Sequence, residues 1–414
     1  MATLTRRMLT GASGPLASFV VLFALPLSGA LFLTIENFAF WSILASVSSI
    51  ALSLDFGGVA LISARFYSDR RALALARSAA LSGGGSLLVG LLGILAWLLY
   101  QGTDLGTAIG FWDGAAAIIT MAAAAAVRST LMVISQIGLL SDTLLLRNLT
   151  TAGHALVAAS LTFILLFTTN SFWALPLGWL ISGLILLVPC YIWALRAGET
   201  TALIEVAPRS SWIRFAGVRT VSTILGTCLL QADRWVIGAL GGPALLAIYE
   251  VAWRFATLPR FLLQNLAARI GSDAASMRFD QMASLRSLLR RSTAILAVLA
   301  IPAMAGCLTG YVLFMWLTGG EPDFALAIAM TIAFTLVGLT APTSFAGASL
   351  GVAGIDLPYI GFSIIVATVG LLMSLGASSP LPFIFGYIAA FIASVPVFFL
   401  YAPRWVLAAL SARG

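Results

Sequence analysis

The sequence contains no lysine, a single histidine (His154) and three cysteines, and only 9% of its 414 positions are charged. Each scarcity excludes something. Soluble globular chains carry roughly 25% charged residues, so the charge available here is too little to coat a soluble protein of this length. Cys190, Cys228 and Cys307 lie scattered inside apolar stretches, with neither metal-ligand spacing nor a disulfide framework. A lone imidazole makes no metal pair, and His154 reads as a packing residue at a helix end. No phosphate-binding loop, dinucleotide fingerprint, zinc motif or nucleophile elbow is present. The expectation is therefore a chain without cofactor or metal. If it performs active transport, the drive must come from a proton or sodium gradient or from substrate supply and removal.

What the chain has is apolar length. Apolar residues fill 61% of the sequence, and mean hydropathy is +1.05. Inside a bilayer only helices and closed barrels satisfy every backbone polar group. Barrel strands alternate apolar and polar residues over about ten positions, whereas these segments run apolar for about 20, as a spanning helix requires. Twelve such spans are expected, at 12–34, 38–62, 79–100, 114–138, 149–168, 174–195, 215–240, 245–270, 292–316, 324–347, 358–376 and 382–401. The reading is an all-α integral membrane protein.

All 22 basic residues are arginine, and the net charge of +7 reads as the positive-inside bias of a membrane protein rather than as a nucleic-acid surface. The arginines gather at the N-terminus and at alternate connections, around Arg71, Arg147, Arg209 and Arg286. The intervening connections carry Asp104 and Asp113, Asn170, Gly241 to Pro243, and Glu321 with Asp323. Both termini are thereby expected in the cytoplasm, with the connection at Asp356 contributing no arginine to the pattern. Near the N-terminus, Thr5-Arg6-Arg7-Met8-Leu9 resembles a twin-arginine signal and Ser28-Gly29-Ala30 a cleavage site. A retained first helix anchored by Arg6 and Arg7 is the expectation, given eleven further spans and a first apolar stretch long enough to cross. Ala64-Arg65-Phe66-Tyr67-Ser68-Asp69 and Ala268-Arg269-Ile270-Gly271-Ser272-Asp273 echo one another half a chain apart. The echo suggests two six-span lobes, 1–200 and 201–414, related by an axis along the membrane normal.

Charge within the spans is expensive and defaults to function. On span seven, Arg219, Thr223, Thr227, Gln231 and Arg234 cluster on a helical wheel, flanked by Ser222 and Asp233. Such a face lines either an aqueous cavity or a polar seam between helices. Span eight carries Glu250 and Arg254, four apart in the favourable order for an ion pair, then Pro259 and Arg260. The pair either serves substrate or simply neutralises itself so that the helix can insert. Span four places Arg128 after a run of alanines, as a cavity residue or a snorkelling one. Ser42, Ser46, Ser49 and Ser53 form a narrow stripe on span two, read as small-residue helix packing.

Phe40-Trp41-Ser42, then Leu54-Asp55-Phe56-Gly57-Gly58 and Arg65, resemble the span-two signature of polysaccharide flippases of the MOP superfamily. Gln231-Ala232-Asp233-Arg234-Trp235-Val236-Ile237-Gly238, then Gly241, Ile248-Tyr249, Arg254 and Leu258-Pro259, resemble their span-seven to span-eight signature. The resemblance implies a Wzx-type flippase with the MATE-like MOP fold, about twelve helices in two pseudo-symmetric lobes around a central cavity. It implies transfer of undecaprenyl-diphosphate-linked oligosaccharide across the bacterial inner membrane, without catalysis, for polysaccharide or lipopolysaccharide O-antigen synthesis. Membrane lipids and a polysaccharide polymerase complex are the implied partners of a monomer. Arg128, Arg254, Arg260, Arg219 and Arg234 are then candidates to bind the diphosphate, since arginine grips phosphate in bidentate fashion. Glu250 and Asp233 are candidates for ion coupling, and Asp55, Gly57 and Arg65 form a structural turn. The alternatives are a drug or cation antiporter of the same superfamily, which would favour acidic cavity residues, and a cell-wall-precursor flippase. Further off stands a membrane glycosyltransferase or polymerase, whose chemistry would want a large extracytoplasmic loop.

Overall fold

The computed structural model describes residue 25 and residues 27–53, 71–140, 144–196, 209–275, 277 and 281–411. Among these every regular element is helical. Ten helices are long and apolar enough to cross a membrane. One of them, Gly217–Ala267, is 51 residues long and is broken at Gly242 (φ 75°, ψ 178°). A positive φ with extended ψ is open to glycine almost alone, and Pro243 follows with no N–H to continue the ladder. The ten helices therefore hold eleven of the twelve expected spans; the expected first span lies outside the described residues except at its end.

In chain order the long helices are α1 (Ile35–Ser53), α2 (Arg71–Leu98), α3 (Phe111–Leu140), α4 (His154–Thr169) and α5 (Ala174–Arg196). They continue as α6 (209–241), α7 (243–275), α8 (Met282–Leu317), α9 (Phe324–Gly338), α10 (Leu357–Ala377) and α11 (Leu381–Ser411). The acidic connection between α2 and α3 holds a short helix, Asp104–Ile109, whose first turn is capped by Thr103 accepting from the Gly106 N–H.

Lipid is as apolar as leucine, so close packing rather than apolar burial holds such helices together. Small residues provide it. A Cβ on Gly90 of α2 would lie 2.6 Å from the Ala122 Cβ of α3, and one on Gly386 of α11 would lie 2.9 Å from the Gly370 Cα of α10. The large apolar side chains left exposed, such as Leu88, Leu91, Leu92 and Leu95 on α2 and Ile365, Val369 and Leu372 on α10, suit an acyl-chain environment. The α1 serines donate into their own helix, Ser42 to the Phe38 carbonyl (3.2 Å) and Ser46 to the Ile43 carbonyl (2.6 Å). Their hydroxyls are thereby satisfied in a packed seam, in line with the packing reading.

The described helices form two compact units, one within Ala17–Ala247 and one within Ile248–Gly414. In the first, α6 is tied to earlier helices. The Trp235 indole N–H donates to Ser46 Oγ at 2.7 Å, and the Tyr100 hydroxyl donates to the Trp235 carbonyl. In the second, α10 and α11 pack along their length, and Leu263, Ile270, Leu285, Leu296, Phe398 and Val406 build the core. These units divide the chain at 247/248 by packing, whereas the six-span lobes at 200/201 are a proposal about its repeat.

Candidate functional site

In the first unit the polar stripe of α6 closes on itself at its C-terminal end. Gln231, Asp233 and Arg234 are all buried. Arg234 Nη1 donates to Gln231 Oε1 at 2.7 Å and to the Leu230 carbonyl at 3.3 Å, and lies 3.4 Å from Asp233 Oδ1. The Asp233 carboxylate also accepts the Arg234 backbone N–H at 2.9 Å. A buried guanidinium must be paired and bonded to be tolerated, and here residues one to four positions away on the same helix supply the partners. Earlier along α6, Arg219, Thr223 and Thr227 are half-buried, and the Thr223 hydroxyl donates to the Arg219 carbonyl.

Arg128 stands differently. Half-buried on α3, it has no ion pair among the described residues, and its guanidinium carbon sits 4.5 Å from the centroid of the Trp179 ring on α5. Stacking on an aromatic face leaves the planar N–H fork available to an anion. On the same ring, edge-on at 6.1 Å between centroids, lies His154.

The second unit carries Glu250, Arg254 and Arg260 on α7. Arg254 Nε donates to Glu250 Oε1 at 2.5 Å, across one turn, as the sequence order anticipates. The carboxylate side chain is 1% exposed and the arginine side chain 18%, and the Arg254 guanidinium carbon lies 5.5 Å from the centroid of the Trp253 ring. Arg260 is half-buried, and its Nε is enclosed without a hydrogen-bond partner. The phenols of Tyr359 on α10 and Tyr387 on α11 lie within electrostatic range of it. Gly338 of α9 lets the backbone come close, since a Cβ there would lie 3.1 Å from the Arg260 Cα. Arg254 and Arg260 are six residues apart, so an ideal helix points them about 120° apart rather than to one face.

Asp55, Gly57 and Arg65 lie outside the described residues. No group of three metal-ligating side chains occurs among the described residues. What sequence reading missed is the company of His154. Its partners lie 25 and more residues away on other helices, and no local spacing signals them.

The apolar helices of spanning length and their close glycine contacts define a multi-pass α-helical membrane protein. Compared with solved structures, the chain is similar to a multidrug-resistance MATE family transporter of the MOP superfamily. The outward-facing form matches at 14% identity and TM-score 0.65, covering 99% of this chain and 97% of that one. The inward-facing form matches at 16% identity and TM-score 0.63, covering 94% and 95%. A MOP superfamily transporter from Pyrococcus furiosus, described as having a binding pocket of reversed polarity that suggests a different function, matches at 14% identity and TM-score 0.64, covering 98% and 96%. These likenesses establish the fold. Among curated protein sequences none matches. The family model for "Polysaccharide biosynthesis protein" matches residues 87–315, more than half of the chain, and the protein belongs to that family.

Proposed function

We propose that this protein is a Wzx-type flippase that carries undecaprenyl-diphosphate-linked oligosaccharide across the bacterial inner membrane by alternating access. The observation that carries the reading is the character of the charge inside the spans. Arg128 and Arg260 have no carboxylate within ion-pair distance among the described residues, and Arg254 is paired yet 18% exposed. A diphosphate is the natural counter-ion for such groups, because each guanidinium offers two parallel N–H donors to two phosphate oxygens. A drug or cation antiporter would instead want its intramembrane carboxylates open to the substrate, whereas Glu250 and Asp233 are both buried beside arginines. Family membership in polysaccharide biosynthesis supports the same substrate class over a cell-wall precursor.

In this reading Arg128, Arg254 and Arg260 bind phosphate. Arg219 offers charge near the start of α6, and Arg234 stiffens its far end through Asp233 and Gln231. Glu250 is the coupling carboxylate. A phosphate drawn to Arg254 weakens its pair with Glu250, which makes protonation of that carboxylate easier and ties substrate to a proton gradient. The chain works as a monomer with both termini in the cytoplasm, supplies a polysaccharide polymerase, and makes no covalent bond itself. The test is a deletion strain analysed for lipid-linked oligosaccharide. A flippase defect leaves completed single repeat units in the cytoplasmic leaflet, protected from an externally added glycosidase. Repeat units that reach the periplasmic leaflet unpolymerised would instead make the protein a polymerase, and unchanged lipids with drug sensitivity would make it an antiporter.

A further inference from the structure

His154 is the only histidine in the chain, and the fold spends an irregular turn on placing it. A π-helical turn, Leu149–Gly153, immediately precedes it, and the His154 backbone N–H reaches back to the Leu149 and Thr151 carbonyls. A π turn inserts one residue into the helical path and re-aims the face that follows, a device common at functional sites. Here the imidazole ends 2% exposed, between α3 and α5. Gly183 on α5 makes room, since a Cβ there would lie 2.7 Å from Val127 and 3.8 Å from His154 Nε2. Ser182 Oγ lies 3.4 Å from the same nitrogen and donates its one proton to the Trp179 carbonyl at 2.9 Å. The serine oxygen is then left to accept from an Nε2–H, so Nδ1 is the nitrogen with a lone pair to protonate.

We propose that Arg128 and His154 form a linked anion–proton site, in which a diphosphate bound by the Arg128 guanidinium is accompanied by a proton taken up at His154. Both groups touch the Trp179 ring, Arg128 over its face and His154 at its edge. Among the described residues Arg128 is the charged group that acts on this imidazole; α5 contributes Trp179, Ser182 and Gly183, none of them charged, and α4 itself carries no charged residue. With Arg128 bare, a second positive charge beside the same indole ring is repelled, and the low local dielectric strengthens the repulsion. A diphosphate at Arg128 reverses the sign of the local field and favours the imidazolium. By linkage, a protonated His154 tightens anion binding by the same factor. The proposal rests on the flippase reading only for its choice of diphosphate. It adds a second proton-binding group, separate from Glu250, and so a different stoichiometry of coupling.

The single histidine makes the test direct. Protein grown with 15N-histidine shows one imidazole, whose ring-nitrogen shifts report its charge and tautomer in neutral detergent micelles. Addition of inorganic pyrophosphate is expected to move the His154 titration midpoint up by about one pH unit, a tenfold gain in proton affinity. Arg128→Gln is expected to abolish that movement, and Arg128→Lys, which keeps a charge should the first variant misfold, to retain part of it. A midpoint that ignores pyrophosphate in the parent protein overturns the site, whatever glycan export shows. An isoprenyl diphosphate and a phospholipid headgroup offer the same phosphate oxygens, so farnesyl diphosphate and phosphatidylglycerol are added separately. Movement with the first alone supports the link to substrate; equal movement with both makes this a headgroup site and overturns that link.

Discussion

Arg254 donates from Nε to Glu250 Oε1 at 2.5 Å across one turn of α7, and the carboxylate side chain it holds is 1% exposed while the arginine side chain is 18%. Under the proposed function, the more exposed Arg254 is the member of the pair to meet a ligand and the enclosed Glu250 the member to respond.

Arg254→Ala withdraws the charged partner of a buried carboxylate, a change of about 3 kcal/mol or more when one member of a buried pair is removed. Abundance and thermal stability in detergent should fall. The double variant Arg254→Ala with Glu250→Gln removes both charges and should recover most of that loss. Equal instability of the single and double variants would mean that the pair itself matters little. In proteoliposomes with an imposed pH gradient, Glu250→Gln alone should keep substrate binding and lose gradient dependence, and unchanged dependence would remove Glu250 from the coupling path.

The tie between α6 and α1 is a second target. Ser46→Ala leaves the Trp235 indole N–H without its 2.7 Å acceptor, a loss of about 1–2 kcal/mol for a buried donor. Ser49, half-buried and bonded among the described residues only to the Ala45 carbonyl of its own helix, is the control. Its alanine variant should unfold within about 0.5 kcal/mol of the parent. A Ser46→Ala protein as stable as the Ser49→Ala protein would show that the cross-helix bond contributes nothing.

These two examples mark how far the sequence could be read. Hydropathy located the spans, because a bilayer selects for apolar length, but it placed several ends early or late. Helix α8 begins at Met282 rather than near 292, and α11 runs to Ser411 rather than 401. Hydrogen bonding continues past the apolar stretch into turns bearing Arg286, Arg290 and Arg291, or Arg404, which hydropathy cannot count. Pairs on one helix were legible, as with Glu250 and Arg254, because 3.6-residue periodicity fixes them. Arg128, Trp179 and His154 were not, since three helices separated along the chain meet only through packing. The same limit hid the use of Ser46 as an acceptor for Trp235.

Orientation is a prediction that the arginine pattern makes on its own. Single cysteines at Asp104 and Glu321, in a background lacking Cys190, Cys228 and Cys307, should react with an impermeant maleimide added outside intact cells. Cysteines at Arg71 and Arg286 should react only after the membrane is opened. Outside labelling at Arg71 would invert the topology, and the cytoplasmic loading of substrate would fall with it.

The proposed mechanism stands or falls on the arginines. Arg128 lies in the unit within Ala17–Ala247, and Arg254 and Arg260 lie in the unit within Ile248–Gly414. Each charge-assisted bond contributes about 1.5–3 kcal/mol, and every 1.4 kcal/mol is tenfold in affinity. Arg128→Ala and Arg260→Ala should therefore reduce glycan export at least about tenfold, with abundance near normal, since neither leaves a paired carboxylate behind. Arg254→Ala should be scored on the Glu250→Gln background for the reason given above, against Glu250→Gln alone, so that the loss of coupling is common to both. Arginine-to-lysine changes should sit between, because an ammonium keeps the charge but loses the planar fork. Buried Arg234 supplies the contrast. Its replacement by alanine strips the partner from Asp233 inside α6, so protein level should drop before any effect on transport can be read. If Arg128→Ala and Arg260→Ala export as well as the parent, and the Arg254 variant as well as Glu250→Gln alone, at normal abundance, phosphate is not held by these guanidinium groups, and the cationic mechanism fails even though the fold stands.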